Sequence, residues 1–201
     1  MSEKASTQEK IIESATELFL EKGFHRTSVR EIASRAKINI SLMNYYFRSK
    51  EMLFETIINL LIGDPSSSLK TILDSDLELN EKIKQYICRY IDMLISNPLL
   101  VSFVLAVLNH SPDKITKLKV TDSLYTTEKF ANQLNAESSK GNIRKTDPEQ
   151  FYLNMLSLIA FPFAIKSLIN EKNAYNGIEF SKFIELRKEI IYNTLISSLK
   201  P

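Results

Sequence analysis

Hydrophobic positions in the N-terminal third of the chain recur every three or four residues, which is the period of an α-helix. The first segment predicts a helix over residues 7–22 that ends at Gly23, with an inner face of Ile11, Ile12, Ala15, Leu18 and Phe19. A second, short helix is expected after Thr27 and Ser28, because Ser28 and Glu31 have the spacing of a capping box.

Two further helices complete this region. Met43 and Phe47 mark the inner edge of a third helix, and Ser49 opens a fourth that we expect to end at Gly63-Asp64-Pro65. Three short helices joined by brief turns, the second and third separated by about three residues, describe a helix-turn-helix unit.

Beyond residue 65 the pattern stays helical. The predicted helices cover residues 66–73, 80–97, 99–108 (apolar nearly all round, hence expected to be buried), about 115–139, 147–170 and 180–199. Pro162 alone falls inside one of them, where it either kinks the helix and frees a carbonyl for a pocket or makes a neutral packing bend. We find no internal repeat and no alternating strand pattern, so the predicted fold class is all-α.

Composition supports long helices. The 201 residues include four Gly and six Pro, where average usage gives roughly fourteen and ten, so few tight turns are expected. The single Cys88 excludes an intramolecular disulfide. The N-terminus lacks the apolar region of a secretory signal, and the longest apolar stretch is about half of the roughly 20 residues that a membrane span needs. We therefore expect a cytoplasmic protein.

The distribution of charge along the chain is more informative than the net charge. The net charge is +2, but residues 20–50 hold seven Lys and Arg against two Glu. This local excess is typical of a surface that meets phosphates, although a solvated face can be equally basic.

The third helix carries the candidate chemistry. At about 100° per residue, Ser41, Leu42 and Tyr45 point away from the core, with Asn44 and Tyr46 on the flanks. In a DNA major groove Asn44 can address a base edge, Leu42 a thymine methyl, and the two Tyr hydroxyls a phosphate or base. The alternative is that both tyrosines are partly buried aromatics. The phosphate contacts are expected from Thr27, Ser28, Arg30 and Lys50.

The segment FHRTSVREIASRAKINISLMNYYFRSKEMLF resembles the DNA-binding segment of tetracycline-repressor-like (TetR-type) transcriptional regulators. Shared features are the Thr-rich start of helix 2, the Ile-Ala pair, the Tyr-Tyr-Phe end of helix 3 and the Ser-Lys-Glu-x-Leu-Phe start of helix 4. The likeness covers about residues 7–60. Lys37 and Ser41 stand where Gly is common, and Asn44 where Tyr is common.

The resemblance implies a helix-turn-helix DNA-binding domain over residues 5–50 and a helical effector-binding and dimerisation domain over 51–201. It also implies a homodimer through the last two long helices, double-stranded operator DNA as a partner, and a small-molecule effector, apolar or amphipathic. Candidate pocket residues are Tyr86, Tyr90, Met93, Phe103, Tyr125, Met155, Phe161 and Phe163. Each of them also fits the core or an interface.

The sequence does not indicate a metal site, a cofactor site or a catalytic site. His25 and His110 are isolated, so neither a metal nor another cofactor is expected, and Cys88 has the apolar neighbours of an inert thiol. With four scattered glycines there is no phosphate-binding loop, and no nucleophile elbow occurs. We therefore expect a regulator rather than an enzyme. The second hypothesis is a helical small-molecule-binding or protein-interaction module that does not bind operator DNA.

Overall fold

The computed structural model describes residues 6–110, 128–174 and 179–201. These residues are helical and contain no strand, which confirms the predicted fold class. The helices are α1 Thr7–Arg26, α2 Val29–Arg35, α3 Ile40–Tyr46, α4 Lys50–Ile58, α5 Asp64–Leu73, α6 Leu79–Ser96, α7 Leu100–His110, α8 Glu128–Ser139, α9 Pro148–Ala164, α10 Lys166–Ala174 and α11 Phe180–Leu199. A π-helical turn, Asn59–Gly63, joins α4 to α5.

The described residues form two compact units. The N-terminal unit contains residues 6–64 and 102–110, and the C-terminal unit contains residues 65–101, 128–174 and 179–201. The helix α7 therefore begins in one unit and continues into the other.

An aromatic cluster forms the core of the N-terminal unit. The Phe54 ring lies 5.3 Å from Phe19 and 4.8 Å from Phe24 between centroids, both in edge-on geometry, and Phe103 of α7 lies 6.0 Å away. The helix α1 packs against α2 and α4, and α2 packs against α3. These contacts hold α3 against the unit by its inner edge, Met43.

Gly23 interrupts α1 as predicted, with φ +79° and ψ 165°. The positive φ favours glycine. A second reason is space, because a Cβ built on Gly23 would lie 2.7 Å from the Cβ of His110.

Side-chain caps set several helix starts. The predicted capping box is confirmed, since Ser28 Oγ accepts from the Glu31 amide and the Glu31 carboxylate accepts from the Ser28 amide. Asn39, which the sequence analysis had not singled out, caps α3 by accepting from the Leu42 amide.

Three sequence predictions about helices were wrong. The helix expected over 147–170 is divided at Ile165 into α9 and α10. Gly63-Asp64-Pro65 does not end the helical backbone, which passes through the π-turn and continues to Leu73. The helix α7 is buried on one face only, and Leu105 and Leu108 remain 43% and 46% exposed. The predicted helix over 115–139 is seen from Glu128, and its earlier part lies outside the described residues.

The C-terminal unit is built around α6, which packs against α9 and α11. Tyr86 of α6 and Tyr152 of α9 are both buried, and their hydroxyls lie 3.2 Å apart. Lys188 of α11 binds Asp92 of α6 at 2.6 Å. A polar pair inside and an ion pair at the rim thus fix the register of these three helices.

Pro162 lies three residues before the break between α9 and α10, whose axes diverge by 64°. Because proline has no amide hydrogen, the Leu158 carbonyl four residues earlier loses its helical donor. Arg187 Nη2 of α11 lies 3.5 Å from that oxygen.

In the part of the chain that the structure covers, no single helix has the length and apolar composition to cross a bilayer. Two pairs of consecutive helices, α6 with α7 and α9 with α10, reach that length and apolar composition only when the two helices of a pair are counted as one. Each pair is bent at the break between its helices.

Candidate nucleic-acid interface

The helix α3 presents a polar and aromatic face to solvent. Tyr45 is 80% exposed and Tyr46 40% exposed, and their rings meet edge-on with centroids 5.3 Å apart. Ser41 and Asn44 are exposed beside them, and Leu42 is half-buried. The structure therefore brings all five candidate groove-facing residues together on one short helix.

Thr27 lies inside the unit. Its side chain is 1% exposed, and its hydroxyl donates to the Gly23 carbonyl at 2.9 Å and to the Leu18 carbonyl at 3.2 Å. Ser28 is exposed, but its hydroxyl is engaged by Glu31 in the capping box. Both residues were predicted to contact phosphates. In the structure the Thr27 hydroxyl closes the end of α1, and the Ser28 hydroxyl caps the start of α2.

Lys50 also points into the unit. Its Nζ donates to the Phe24 carbonyl at 2.9 Å and to the Thr27 carbonyl at 2.8 Å, and it lies 4.3 Å from the centroid of the Phe24 ring. The ammonium group neutralises carbonyls at the end of α1, where a cation is favourable.

Two further cations of the basic region are held in ion pairs. Lys22 binds Glu31, and this pair together with the Ser28 hydrogen bonds lowers the Glu31 pKa to about 2. Arg35 makes two parallel hydrogen bonds to Glu21, at 2.6 and 2.9 Å, and they lower the Glu21 pKa. These pairs fasten α2 to α1.

The remaining cations of the region are exposed: Arg26, Arg30, Lys37 and Arg48. None of the four has an ion-pair partner among the described residues. The charge count in the sequence treats all seven basic residues alike. The positions of Glu21, Glu31 and the carbonyls that Lys50 binds separate the cations that stabilise the fold from those that face solvent.

The candidate pocket residues do not converge on one site. Tyr86 and Met155 are buried in the C-terminal unit, Tyr90 and Met93 are half-buried there, and Phe161 is 61% exposed. Phe103 is buried in the N-terminal unit, and Tyr125 lies outside the described residues.

Phe163 does line a cavity of about 430 Å³ in the C-terminal unit. Its walls include Leu94, Pro98 and Phe180, and Lys166 lies 5.2 Å from the centroid of the Phe180 ring. A cavity of this volume, mainly apolar with a few polar groups, suits a small organic ligand.

Comparisons with known proteins identify the family. The profile described as "Bacterial regulatory proteins, tetR family" matches residues 11–57, which contain α2, α3 and most of α1. The "Probable HTH-type transcriptional regulator YttP" of Bacillus subtilis is 32% identical over 172 residues, covering 84% of this chain and 82% of that protein. The chain belongs to the tetR family.

Solved structures of tetR family regulators share its fold. PfmR of Thermus thermophilus has a TM-score of 0.70 at 18% identity, with 98% of this chain and all of that chain (100%) covered. A TetR/AcrR regulator of Thermobifida fusca has a TM-score of 0.60 at 21% identity, with 96% and 98% covered. TetR family proteins are transcription regulators rather than enzymes, and DNA binding follows from membership.

Proposed function

We propose that this chain is a ligand-responsive repressor that binds palindromic operator DNA as a homodimer and leaves it when a small-molecule effector binds. The exposed face of α3 carries the proposal. Tyr45, Asn44 and Ser41 are hydrogen-bonding side chains that the fold leaves in solvent on one surface. An α-helix fits the major groove, where such groups distinguish base pairs.

In this proposal residues 5–50 bind DNA. Leu42 and Tyr46 complete the groove-facing set, and the exposed guanidinium of Arg30 and the Ser28 end of α2 lie at phosphates. Direct phosphate contacts by Thr27 and Lys50 have less support, because their polar atoms already bond to α1 carbonyls.

Residues 51–201 then supply ligand binding and dimerisation. Large apolar side chains are exposed at helical spacing on the last long helices: Leu153 and Phe161 on α9, and Leu186 and Ile190 on α11. These two helices pack against each other. Two such helices from each subunit can form a four-helix interface that covers the exposed side chains.

The effector site is assigned to the cavity at Phe163. Its walls combine apolar side chains with the charged Lys166 and Glu179, which favours an amphipathic molecule. Two recognition helices bind half-sites about 34–36 Å apart or a multiple of a helical turn apart. An effector releases DNA only if it binds more tightly to a dimer with another spacing.

The test is a gel-shift titration on an operator selected from a random DNA pool with the full-length protein. Tyr45→Ala is expected to weaken operator binding at least tenfold, because a base or phosphate contact is lost. Its melting temperature should stay within about 2 °C of wild type, because the side chain is 80% exposed. Leu60→Ala, an exposed residue outside α3, serves as the control. Unchanged affinity for Tyr45→Ala contradicts the assignment.

Salt dependence distinguishes this proposal from a helical module that binds a small molecule or a protein without reading DNA. Cationic side chains that bind DNA release the counterions of its phosphates. The logarithm of the DNA binding constant therefore falls steeply with the logarithm of salt concentration. Binding of an uncharged ligand or partner by the module would show a shallow slope instead. Weak binding to every sequence in the pool would also favour the module.

A further inference from the structure

Lys37 occupies a backbone position that suits glycine. Its φ is +56°, and among the described residues it is the one non-glycine residue with positive φ. It stands in the turn of the helix-turn-helix, directly after Ala36, the residue that ends α2. Side chains rarely adopt this left-handed conformation, because the Cβ approaches the following carbonyl oxygen.

The hydrogen bonds of the turn explain why the positive φ is required. The Lys37 amide donates to the Ser34 carbonyl at 3.2 Å, and the Ile38 amide donates to the Ala33 carbonyl at 3.0 Å. This pair of bonds is a Schellman motif, which closes the carboxyl end of α2 and needs a left-handed residue at this position. Glycine would perform the backbone role with less strain.

Among the described residues, no hydrogen bond or ion pair of the Lys37 side chain offsets this strain. That side chain is exposed, and it has no ion-pair partner among the described residues. By contrast, Lys22 and Arg35 bind the carboxylates of Glu31 and Glu21. A strained residue whose side chain makes no such bond is a candidate for a functional contact.

The position of the turn indicates what the Lys37 side chain contacts. Lys37 lies two residues before Asn39, which caps α3. The exposed face of α3 is the proposed groove-reading surface. The exposed cations Arg30 and Arg48 belong to the same basic region. A flexible ammonium group beside a helix that lies in the major groove is suited to a phosphate of the DNA backbone.

We propose that the Lys37 ammonium binds a backbone phosphate at the edge of each operator half-site, and that this contact is the reason for lysine at a glycine-type position. The inference rests on the proposed DNA-binding function. It adds a contact that positions α3 in the groove without reading sequence.

The experiment compares three variants of the full-length protein, Lys37→Gln, Lys37→Arg and Lys37→Gly, on the operator selected with wild type. Fluorescence anisotropy gives the binding constant from about 0.1 to 0.4 M salt. Loss of one phosphate contact should reduce the slope of log K against log salt by about 0.9 per half-site, which is about eightfold in affinity per tenfold change in salt. Lys37→Arg should keep the wild-type slope.

Lys37→Gly separates binding from folding. It should lose affinity as Lys37→Gln does, while its melting temperature rises by about 2–4 °C because the strain is relieved. Lys145→Gln, at an exposed lysine in a non-helical segment of the C-terminal unit, is the charge control and should bind as wild type.

Wild-type slope and affinity in both Lys37→Gln and Lys37→Gly would overturn the inference, and so would weaker binding with an unchanged slope. If wild type itself shows no salt-dependent DNA binding, the proposed function fails. If wild type binds DNA with a steep salt slope and the Lys37 variants match it, the function stands and this contact alone is refuted.

Discussion

Lys50 stabilises the end of α1 from 26 residues away in sequence. Its ammonium group bonds to two carbonyls, of Phe24 and Thr27, that follow the break at Gly23. The Thr27 hydroxyl closes the same end from the other side by donating to the Gly23 carbonyl. Two residues that look like phosphate ligands in the sequence thus hold the connection between α1 and α2 together.

We predict that Lys50→Met destabilises the protein. Methionine keeps an apolar stem near the Phe24 ring but removes the donor to both carbonyls, and the loss of a charged hydrogen-bond partner costs about 1–3 kcal/mol. Urea denaturation followed by circular dichroism measures the change, with Lys145→Met as the control for loss of an exposed lysine. An unchanged midpoint would show that the Lys50 bonds contribute nothing net.

At the scale of elements, Pro162 leaves a carbonyl of α9 without its helical donor, and a side chain of another helix approaches that carbonyl. Pro162 removes the donor to the Leu158 carbonyl, and the Arg187 guanidinium of α11 approaches that oxygen. The Nε of the same guanidinium is buried with no hydrogen-bond partner in the described part of the chain. The freed carbonyl therefore contacts a neighbouring helix rather than lining the cavity at Phe163.

A double-mutant cycle of Pro162→Ala and Arg187→Met tests this coupling. In the Pro162→Ala background the new amide can donate to Leu158, so Arg187→Met should cost about 0.5–1 kcal/mol less than it costs in wild type. The free energies of unfolding come from urea titrations of the four proteins. Additive effects would mean that Arg187 does not compensate for the proline.

At the scale of the whole molecule, the large exposed apolar side chains of α9 and α11 are the proposed dimer surface. Leu153, Phe161, Leu186 and Ile190 are 45–61% exposed. Exposed apolar patches commonly mark interaction sites. A second copy of the chain is the proposed partner, because pairing of equivalent helices buries the same patch on both subunits.

We predict that Phe161→Glu converts a dimer into a monomer of 23.1 kDa. A carboxylate on the contact surface would have to be desolvated against apolar side chains, which is strongly unfavourable. Analytical ultracentrifugation at micromolar concentration measures the mass, and circular dichroism checks that the helices persist. Leu60→Glu, at a residue 51% exposed in the N-terminal unit, should remain a dimer. A wild-type monomer would contradict the dimer proposal.

The sequence by itself determined the all-α class, most helix starts and the inner edge of α3. These features depend on local spacing: the capping box of Ser28 and Glu31, the Asp147 cap of α9 and the burial of Met43 and Phe47 all follow from residues within one or two turns. The break at Gly23 belongs to the same class, because glycine tolerates the positive φ found there.

The tertiary structure alone decided which basic residues face solvent. The partners of Lys22, Arg35 and Lys50 are 9, 14 and 26 residues away, so no local pattern pairs them. It also decided that the helical backbone after α4 continues through a π-turn. Long-range packing sets the pairing of these cations, because residues so far apart in sequence meet only when the surrounding helices hold both of them in place.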